Sequence, residues 1–357
     1  MAERLRVIDF GVTEPLRSQT SWHAVSEGVD DGEAPTLSFV RTSRPYACLG
    51  FHRSYDEVDA ARCDEKGWPL YRRMVGGGPV YVDGEQLCFQ VSVPARLVPA
   101  ARPKAMRRLL EPAVEAFVHA GVDARLGTDC EITVGDRKVC GHGAAQIGSA
   151  VVVVGNLIER FDHDAATSIL AIPGAEERRE VNRLMRRYVA WDGADPAVDP
   201  SRFQTAAVEA YSDAFGLCAE AGGLSPAEYG HLRRLDVRFC DRRWVEGSPR
   251  RGCPDAWRVK IRSGVWVLSF RDGGRAVVLS VVGGRVERAV VVHADVSGDG
   301  SCKDDGCDQD AGYGQDARYH EIFDGASLRD DLSRLEALFG ELGGRAASAL
   351  SDMALAG

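Results

Sequence analysis

The 357-residue chain has no apolar run long enough to cross a bilayer: its longest, residues 150–154 (Ala-Val-Val-Val-Val), falls far short of the roughly 20 residues a spanning helix needs. The opening Met-Ala-Glu-Arg-Leu-Arg-Val-Ile-Asp-Phe lacks the long apolar stretch of an export signal. There is no surplus of positive charge. With 44 Lys and Arg against 53 Asp and Glu the net charge is −9, which speaks against a nucleic-acid partner, because phosphate binding needs clustered cations. The 10 cysteines follow no regular spacing, and Cys48 and Cys88 sit inside apolar runs. They read as buried free thiols in a reducing cytosol, with no membrane association. Lysine is scarce, at positions 66, 104, 138, 260 and 303 only. A lysine in this chain is therefore more informative than usual.

What is present suits a folded protein. A hydrophobic share of 45% and a charged share of 27% allow a sizeable core, and the length suits one large domain plus a smaller one. β-branched and aromatic runs predict strands at 36–41, 46–51, 71–73, 80–81, 87–93, 131–134, 138–141 and 150–160. Helical spacing predicts helices at 54–67, 104–121, 176–189 and 200–215. Gly222, Gly223 and Pro226 break both periodicities and place a boundary there. Beyond it, short strands at 257–261, 265–270, 276–282 and 286–293 precede an acidic loop at 295–316 and a helical tail at 328–339 and 346–355. The expected fold is α+β: a mixed, mostly antiparallel sheet with outer helices in 1–224, and a small α+β accessory domain in 225–357.

Two segments carry chemistry. The first is Arg72-Arg73-Met-Val-Gly76-Gly77-Gly78-Pro-Val-Tyr-Val-Asp83. Three glycines let backbone approach a ligand closely, with amides free to face an anion. No Gly-Lys-Ser/Thr follows and no Gly-x-Gly-x-x-Gly opens a helix, so neither P-loop nor dinucleotide fingerprint applies. Glycine alone is equally compatible with a tight hairpin. The second is Lys138-Val-Cys140-Gly141-His142-Gly143-Ala144-Ala145-Gln146. A compact ammonium there can neutralise charge that grows when a carboxylate attacks phosphorus; read alone, it is a solvated surface lysine.

Together the segments resemble the lipoate–protein ligase A family, within the wider group of biotin ligases and octanoyltransferases. That family's pattern is Arg-Arg-x-Ser/Thr-Gly-Gly-x-x-Val-x-His-Asp, then Asn-Asp-Leu/Ile, a Gly-x-Lys turn and Lys-Ile/Val-x-Gly-x-Ala. Arg72, Arg73, Gly76, Gly77, Gly78, Val80 and Asp83 match the first part; Ile132, Lys138, Val139 and Gly141 match the second, with Ala144 one place beyond its alanine. His23-Ala-Val-Ser-Glu27 and Leu49-Gly50-Phe51-His52 resemble its upstream elements, and 263–295 its accessory domain. The resemblance implies a biotin/lipoate ligase-like catalytic domain. It also implies a reaction in which ATP, with Mg2+, and lipoic acid or a related carboxylic acid form an acyl-adenylate. A lysine of a lipoyl-domain carrier protein then takes the acyl group. Lys138 would contact the acyl carboxyl and phosphate. Arg72, Arg73, Gly76, Gly77, Gly78, Asp83 and Glu131 would hold the ligand, with Gly141, Gly143 and Ala144 as pocket wall; no residue would bind a metal.

Several positions depart from the pattern. Val75 replaces Ser/Thr, Val82 replaces His, Cys130-Glu131 stand for Asn-Asp, Gly155-Asn156 lie where a His-Gly pair is usual, and Cys140 takes a small residue's place. These leave open a transferase that moves an octanoyl or lipoyl group between carriers through a cysteine without ATP, and a carrier-binding paralogue that has lost catalysis. Cys140, two residues from Lys138, is the thiol to weigh, since a nearby cation favours thiolate. Asp295 to Gly300 starts like a calcium loop, but Gly306 stands where the twelfth-position Glu belongs; Cys302 and Cys307 lack a second ligand pair. Trp244 and Trp257 read as accessory-domain core.

Overall fold

The computed structural model describes residues 4–191, 198–247, 256–272, 274–293, 319–322, 344–345 and 348. Strand β1 (Arg4–Thr13) leads into helix α1 (Pro15–Asp30), with Pro15 in the first turn, where its missing N–H has no intrahelical partner to lose. Next come β2 (Thr36–Thr42), β3 (Tyr46–Leu49), α2 (Ala60–Glu65), β4 (Leu70–Arg72), β5 (Val80–Val82) and β6 (Gln86–Pro94). Helix α3 (Arg102–His119) is followed by β7 (Arg125–Leu126), β8 (Ile132–Val134), β9 (Arg137–Lys138), β10 (His142–Ile147) and β11 (Ala150–Ile158). Then α4 (His163–Ser168), α5 (Ala175–Tyr188), α6 (Pro200–Phe215), β12 (Cys218–Ala221), α7 (Pro226–Cys240) and α8 (Arg242–Glu246) lead to β13 (Ala256–Arg262), β14 (Val265–Asp272), β15 (Arg275–Val282), β16 (Arg285–His293) and β17 (Tyr319–Ile322).

The main sheet runs β10-β11-β6-β2-β1-β12. Its β10–β11, β11–β6 and β6–β2 pairings are antiparallel, and β2–β1 and β1–β12 are parallel. Alternation along β6 decides what each face meets. Leu87, Phe89, Val91 and Val93 join Leu109, Leu110, Phe117, Phe203 and Tyr211 of α3 and α6 in the principal core. The intervening Gln90 and Ser92 face the other way, where Gln90 accepts from Ser38 at 2.9 Å and Ser92 meets Ser26 of α1 at 2.8 Å. Helices therefore cover both faces, not the outer one alone, and one interlayer is polar and fully hydrogen-bonded at these pairs. Full burial of each Leu or Phe in the apolar layer contributes about 1.5–3 kcal/mol.

The chain forms two compact units, Met1–Ile172 with Met185–Arg250, and Pro173–Leu184 with Arg251–Gly357. The division differs from a cut after 224 for two reasons. Helix α7 belongs to the first unit because Leu232, Leu235 and Phe239 pack on Ala24 of α1, and because its buried Glu228 pairs with Arg6 of β1. The first three turns of α5 belong to the second unit: buried Glu177 accepts from Ser269 at 2.7 Å, and buried Glu180 from Ser280 at 2.6 Å and Arg288 at 2.7 Å. There they lie with the antiparallel sheet β13-β14-β15-β16-β17. The C-terminal unit is thus a small α+β accessory unit.

The helix expected over 54–67 is interrupted. A single 3-10 turn at Tyr55–Glu57 gives way to extended Val58, and Asp59 caps α2 afresh by accepting from the Arg62 amide at 2.9 Å. The 295–316 loop with its calcium-like and zinc-like patterns, and the helices expected at 328–339 and 346–355, lie outside the described residues apart from Ser348.

Candidate active site

Three consecutive glycines give the 76–78 loop no side chains to fold around, so its neighbours fix its shape. Buried Arg73 does this from inside: its guanidinium donates to the carbonyls of Gly76 at 2.8 Å, Gly78 at 2.9 Å and Cys48 at 3.1 Å. Gly77 takes φ +99°, and a side chain there would strike the Arg73 guanidinium at 2.7 Å. With carbonyls turned inward, the amides of Gly76, Gly77 and Gly78 donate to no other group among the described residues, and Gly77 and Gly78 are exposed. Such a row of free amides is able to face an anion.

Two further contacts pin the loop. A Cβ on Gly50 would fall on the Gly77 carbonyl. His23, buried in α1, donates from Nδ1 to the Gln19 carbonyl at 2.6 Å and accepts at Nε2 from the Met74 amide at 3.0 Å. Burial pushes its imidazole down to about 3, against the opposing pull of the Gln19 carbonyl, so the ring is neutral and its tautomer is set by the Met74 amide. Val75 is fully buried with Trp22, Ile147 and Val152. That apolar pocket accounts for valine where the related pattern has a hydroxyl. Val82 likewise packs on Tyr46 and Cys48.

The second segment meets the first at Gly143 and, through Ala145, at the cluster around Val75. A Cβ on Gly143 of β10 would lie 3.0 Å from the Gly76 carbonyl and 3.3 Å from Val75 Cγ2, so glycine there permits the close approach of the two motifs. Gly141 donates its amide to Asn156 Oδ1 at 2.7 Å, and Asn156 in turn donates to Gln86 at 2.8 Å. Ala144 packs against the principal core. Lys138, in β9, donates from Nζ to Glu131 Oε1 at 3.3 Å. Its side chain is 23% exposed. An ammonium has three donors, so donors remain for a ligand. Cys130, before Glu131, takes φ +63°, a left-handed conformation that asparagine tolerates better than cysteine.

Other expected site residues are engaged elsewhere. The Arg72 guanidinium is buried and donates to the carbonyls of Arg53 at 2.6 Å, Gly50 at 3.1 Å, Val245 at 3.0 Å and Glu246 at 3.1 Å. It clamps the strand ahead of the loop to the carbonyl end of α8, a favourable place for a cation. Trp244, on α8, donates from Nε1 to the Arg72 carbonyl at 2.9 Å and lies against Phe51; it belongs to this clamp, not to an accessory-domain core. Asp83 accepts from the Glu85 amide at 3.1 Å and lines a cavity of about 460 Å³ with Glu85, Arg160, Phe161, Asp162, His163 and Arg186. Neither motif's glycines line that cavity. Burial raises its carboxyl above the usual range.

Cys140 is not the thiolate its spacing from Lys138 suggests. It is fully buried in the principal core, and burial pushes the thiol up to about 12, outweighing the Asn156 contact and the Lys138 charge. The residue that motif reading passed over is His142, the first of β10. Its ring nitrogens are shut from solvent, and burial, with the Lys138 charge second, pushes it down to about 4 against the opposing pull of the Cys130 backbone. Its place inside the lysine segment was the available signal. Among the described residues, no group of three or more His, Cys, Asp and Glu is placed to hold a metal ion, and no helix is long and apolar enough to cross a membrane.

The mixed sheet with its flanking helices agrees with the comparisons. The sequence profile of the lipoyl protein ligase A/B catalytic domain matches residues 20–208. The octanoyltransferase LipM of Moorella thermoacetica is 26% identical over 69% of this chain and 98% of its own. In structure, a bipartite lipoate protein ligase of Thermoplasma acidophilum, studied with its E2 lipoyl domain, superposes with a TM-score of 0.61 at 23% identity, over 71% of this chain and 99% of that one. A lipoate–protein ligase A bound with ATP superposes with a TM-score of 0.58 at 23% identity, over 69% and 99%. The chain belongs to the lipoyl protein ligase A/B catalytic-domain family, whose members are lipoate ligases and octanoyltransferases.

Proposed function

We propose that this chain is an ATP-dependent ligase that activates lipoate or a related carboxylate and transfers the acyl group to a lysine of a lipoyl-carrier domain. The observation that carries this reading is the contact of Gly143 with Gly76, which joins an amide cradle to the strand that follows Lys138. Amides at 76–78 suit nucleotide phosphate, and Lys138 suits the carboxyl–phosphate junction. A carboxylate oxygen attacks the α-phosphorus and pyrophosphate leaves. The deprotonated carrier amine then attacks the acyl carbonyl and AMP leaves. Positive groups at that junction are stronger in the transition state than in the ground state, which is what accelerates the step. Magnesium would arrive on the triphosphate and be held mainly by its oxygens. Arg73 and Glu131 position the loop and Lys138; Arg72 and Asp83 stabilise the surroundings. A cytosolic setting, where ATP and lipoyl carriers meet, goes with this reading.

A second reading, acyl transfer from a carrier thioester, is favoured by the likeness to the octanoyltransferase across nearly its whole length. It needs a thiol, and Cys130 is partly exposed beside Glu131 whereas Cys140 is in the core. Intact mass of a lipoyl domain incubated with the protein decides. A mass gain from octanoate or lipoate that requires ATP supports the ligase. A gain only from an octanoyl-carrier thioester overturns it in favour of transfer, and no gain from either donor leaves a carrier-binding protein.

A further inference from the structure

Between Glu85 and Glu111 the chain carries five cations, Arg96, Arg102, Lys104, Arg107 and Arg108, and no carboxylate, although its net charge is −9. The last four lie in the N-terminal half of α3. Arg102, Lys104 and Arg108 are exposed, and among the described residues no carboxylate pairs with Arg102 or Lys104. Arg108 lies over the Phe215 ring at 5.3 Å and donates to the Ala214 carbonyl. Both partners are neutral, so its charge stays uncompensated. Arg107 meets Glu111 at 3.6 Å. Lys104 and Arg108, four residues apart, share one face of the helix.

This surface adjoins the lysine segment. Arg107 donates from Nη2 to the Gly127 carbonyl at 2.9 Å. The Gly127 amide donates to the Glu131 carbonyl at 2.9 Å, and the Glu131 side chain holds Lys138 at 3.3 Å. The cationic end of α3 is therefore fixed to the turn that carries the partner of Lys138. It is the outside of a helix, whereas small ligands take concave sites. Nucleic acid asks for more clustered cations than an acidic chain with these few supplies. A protein partner bearing negative charge fits: a net-negative chain repels it in general and attracts it here, which orients the encounter.

We propose that the N-terminal half of α3 is the docking surface for the carrier domain, which meets Arg102, Lys104 and Arg108 with an acidic face and so presents its lysine to the acyl group at Lys138. This rests on the acyl-transfer reading above, in its ATP or its thioester form, because a carrier domain takes the acyl group in both. Exposed charges at the rim of an interface act on the encounter, so their effect falls on KM for the carrier and weakens with salt.

The test uses the full chain, the donor that the wild type accepts, and a lipoyl domain. The double variant Arg102→Glu, Lys104→Glu is expected to raise KM for the lipoyl domain about 10-fold at low ionic strength, and less at high, with kcat nearly unchanged. Acyl transfer to hydroxylamine, a nucleophile too small to reach the patch, is expected to keep its wild-type rate. A lipoyl domain whose acidic residues beside the acceptor lysine are changed to lysine is expected to prefer the variant chain. Wild-type KM in the folded double variant, or an equal loss with hydroxylamine, overturns the proposal and leaves the reading intact. So does an unchanged KM in a variant that has lost wild-type binding to phosphatidylglycerol vesicles, which assigns the patch to a membrane. Should the double variant not fold, Arg102→Gln and Lys104→Gln decide singly by the same measurement. A wild-type chain that modifies no lipoyl domain from either donor removes the reading and this proposal with it.

Discussion

The Nε2 atom of His23 accepts a hydrogen bond from the backbone amide of Met74 at 3.0 Å, tying a helix buried in the first unit to the glycine loop. The ring also stacks on Trp22, with centroids 3.4 Å apart. The loop's position is therefore set by an imidazole that is fully buried.

Replacing His23 with alanine removes that acceptor and leaves the Met74 amide unsatisfied, a loss of about 1–3 kcal/mol before the cavity is counted. Urea unfolding should show the loss. The loop, freed from α1, should also raise KM for the anionic substrate more than it lowers kcat. An unchanged KM in a folded variant would mean the loop holds its shape without His23.

Gly50→Ala should displace the glycine loop outright, since the new methyl lands on the Gly77 carbonyl, which is backbone and cannot turn aside. Expected is a variant that folds with near-normal stability in the second unit but binds nucleotide poorly. Calorimetric titration with ATP checks it; wild-type affinity would show that the loop yields.

The buried histidines make stability pH-dependent with a definite sign. His23 is held at about 3 and His142 at about 4, below the ordinary 6.5, so both are neutral in the folded chain and take up protons on unfolding. Their contribution is fully present above about pH 6.5 and is lost as pH falls towards their folded values. In that window each adds a slope of about 1.4 kcal/mol per pH unit. Denaturation midpoints at pH 7.5 and 5 should differ accordingly, and His23→Gln should flatten part of the slope. A midpoint higher at pH 5 would contradict this.

Glu228→Ala should be among the most destabilising single changes. Glu228 is fully buried, pairs with Arg6 and accepts from the Ser225 amide at 2.7 Å at the start of its own helix. Removing it strands a buried guanidinium, which costs about 3–5 kcal/mol. Thermal melts of the single variants and of the Arg6→Met, Glu228→Leu pair check this: the pair should recover much of the loss, because neither charge is then left alone.

Much of this was legible where burial follows period. Strand β6 alternates cleanly, α3 carries an apolar stripe, and the two glycine- and lysine-bearing segments named the family. Helix α1 was not, because its buried positions include Ser18, Gln19, Thr20, Ser21, His23 and Ser26, and polar residues buried against a polar layer erase the helical pattern. Strand β10, His-Gly-Ala-Ala-Gln-Ile, has little strand propensity and owes its form to pairing with β11. At the site, the motif could not tell residues that face a ligand from those that hold the frame. Arg72 and Arg73 are spent on carbonyls, and Cys140 points into the core. That His142 faces the Cys130 backbone, Lys138 and Glu131 is visible only in three dimensions.

The central claim is that the glycine cradle and Lys138 together activate a carboxylate with ATP. Pyrophosphate release on mixing protein, ATP and octanoate, before any carrier is added, tests it most directly. The account predicts a burst approaching one equivalent per protein for the wild type and none for Lys138→Ala. Release that is absent in a wild type still able to acylate a lipoyl domain from a thioester donor, or undiminished in Lys138→Ala, would contradict it.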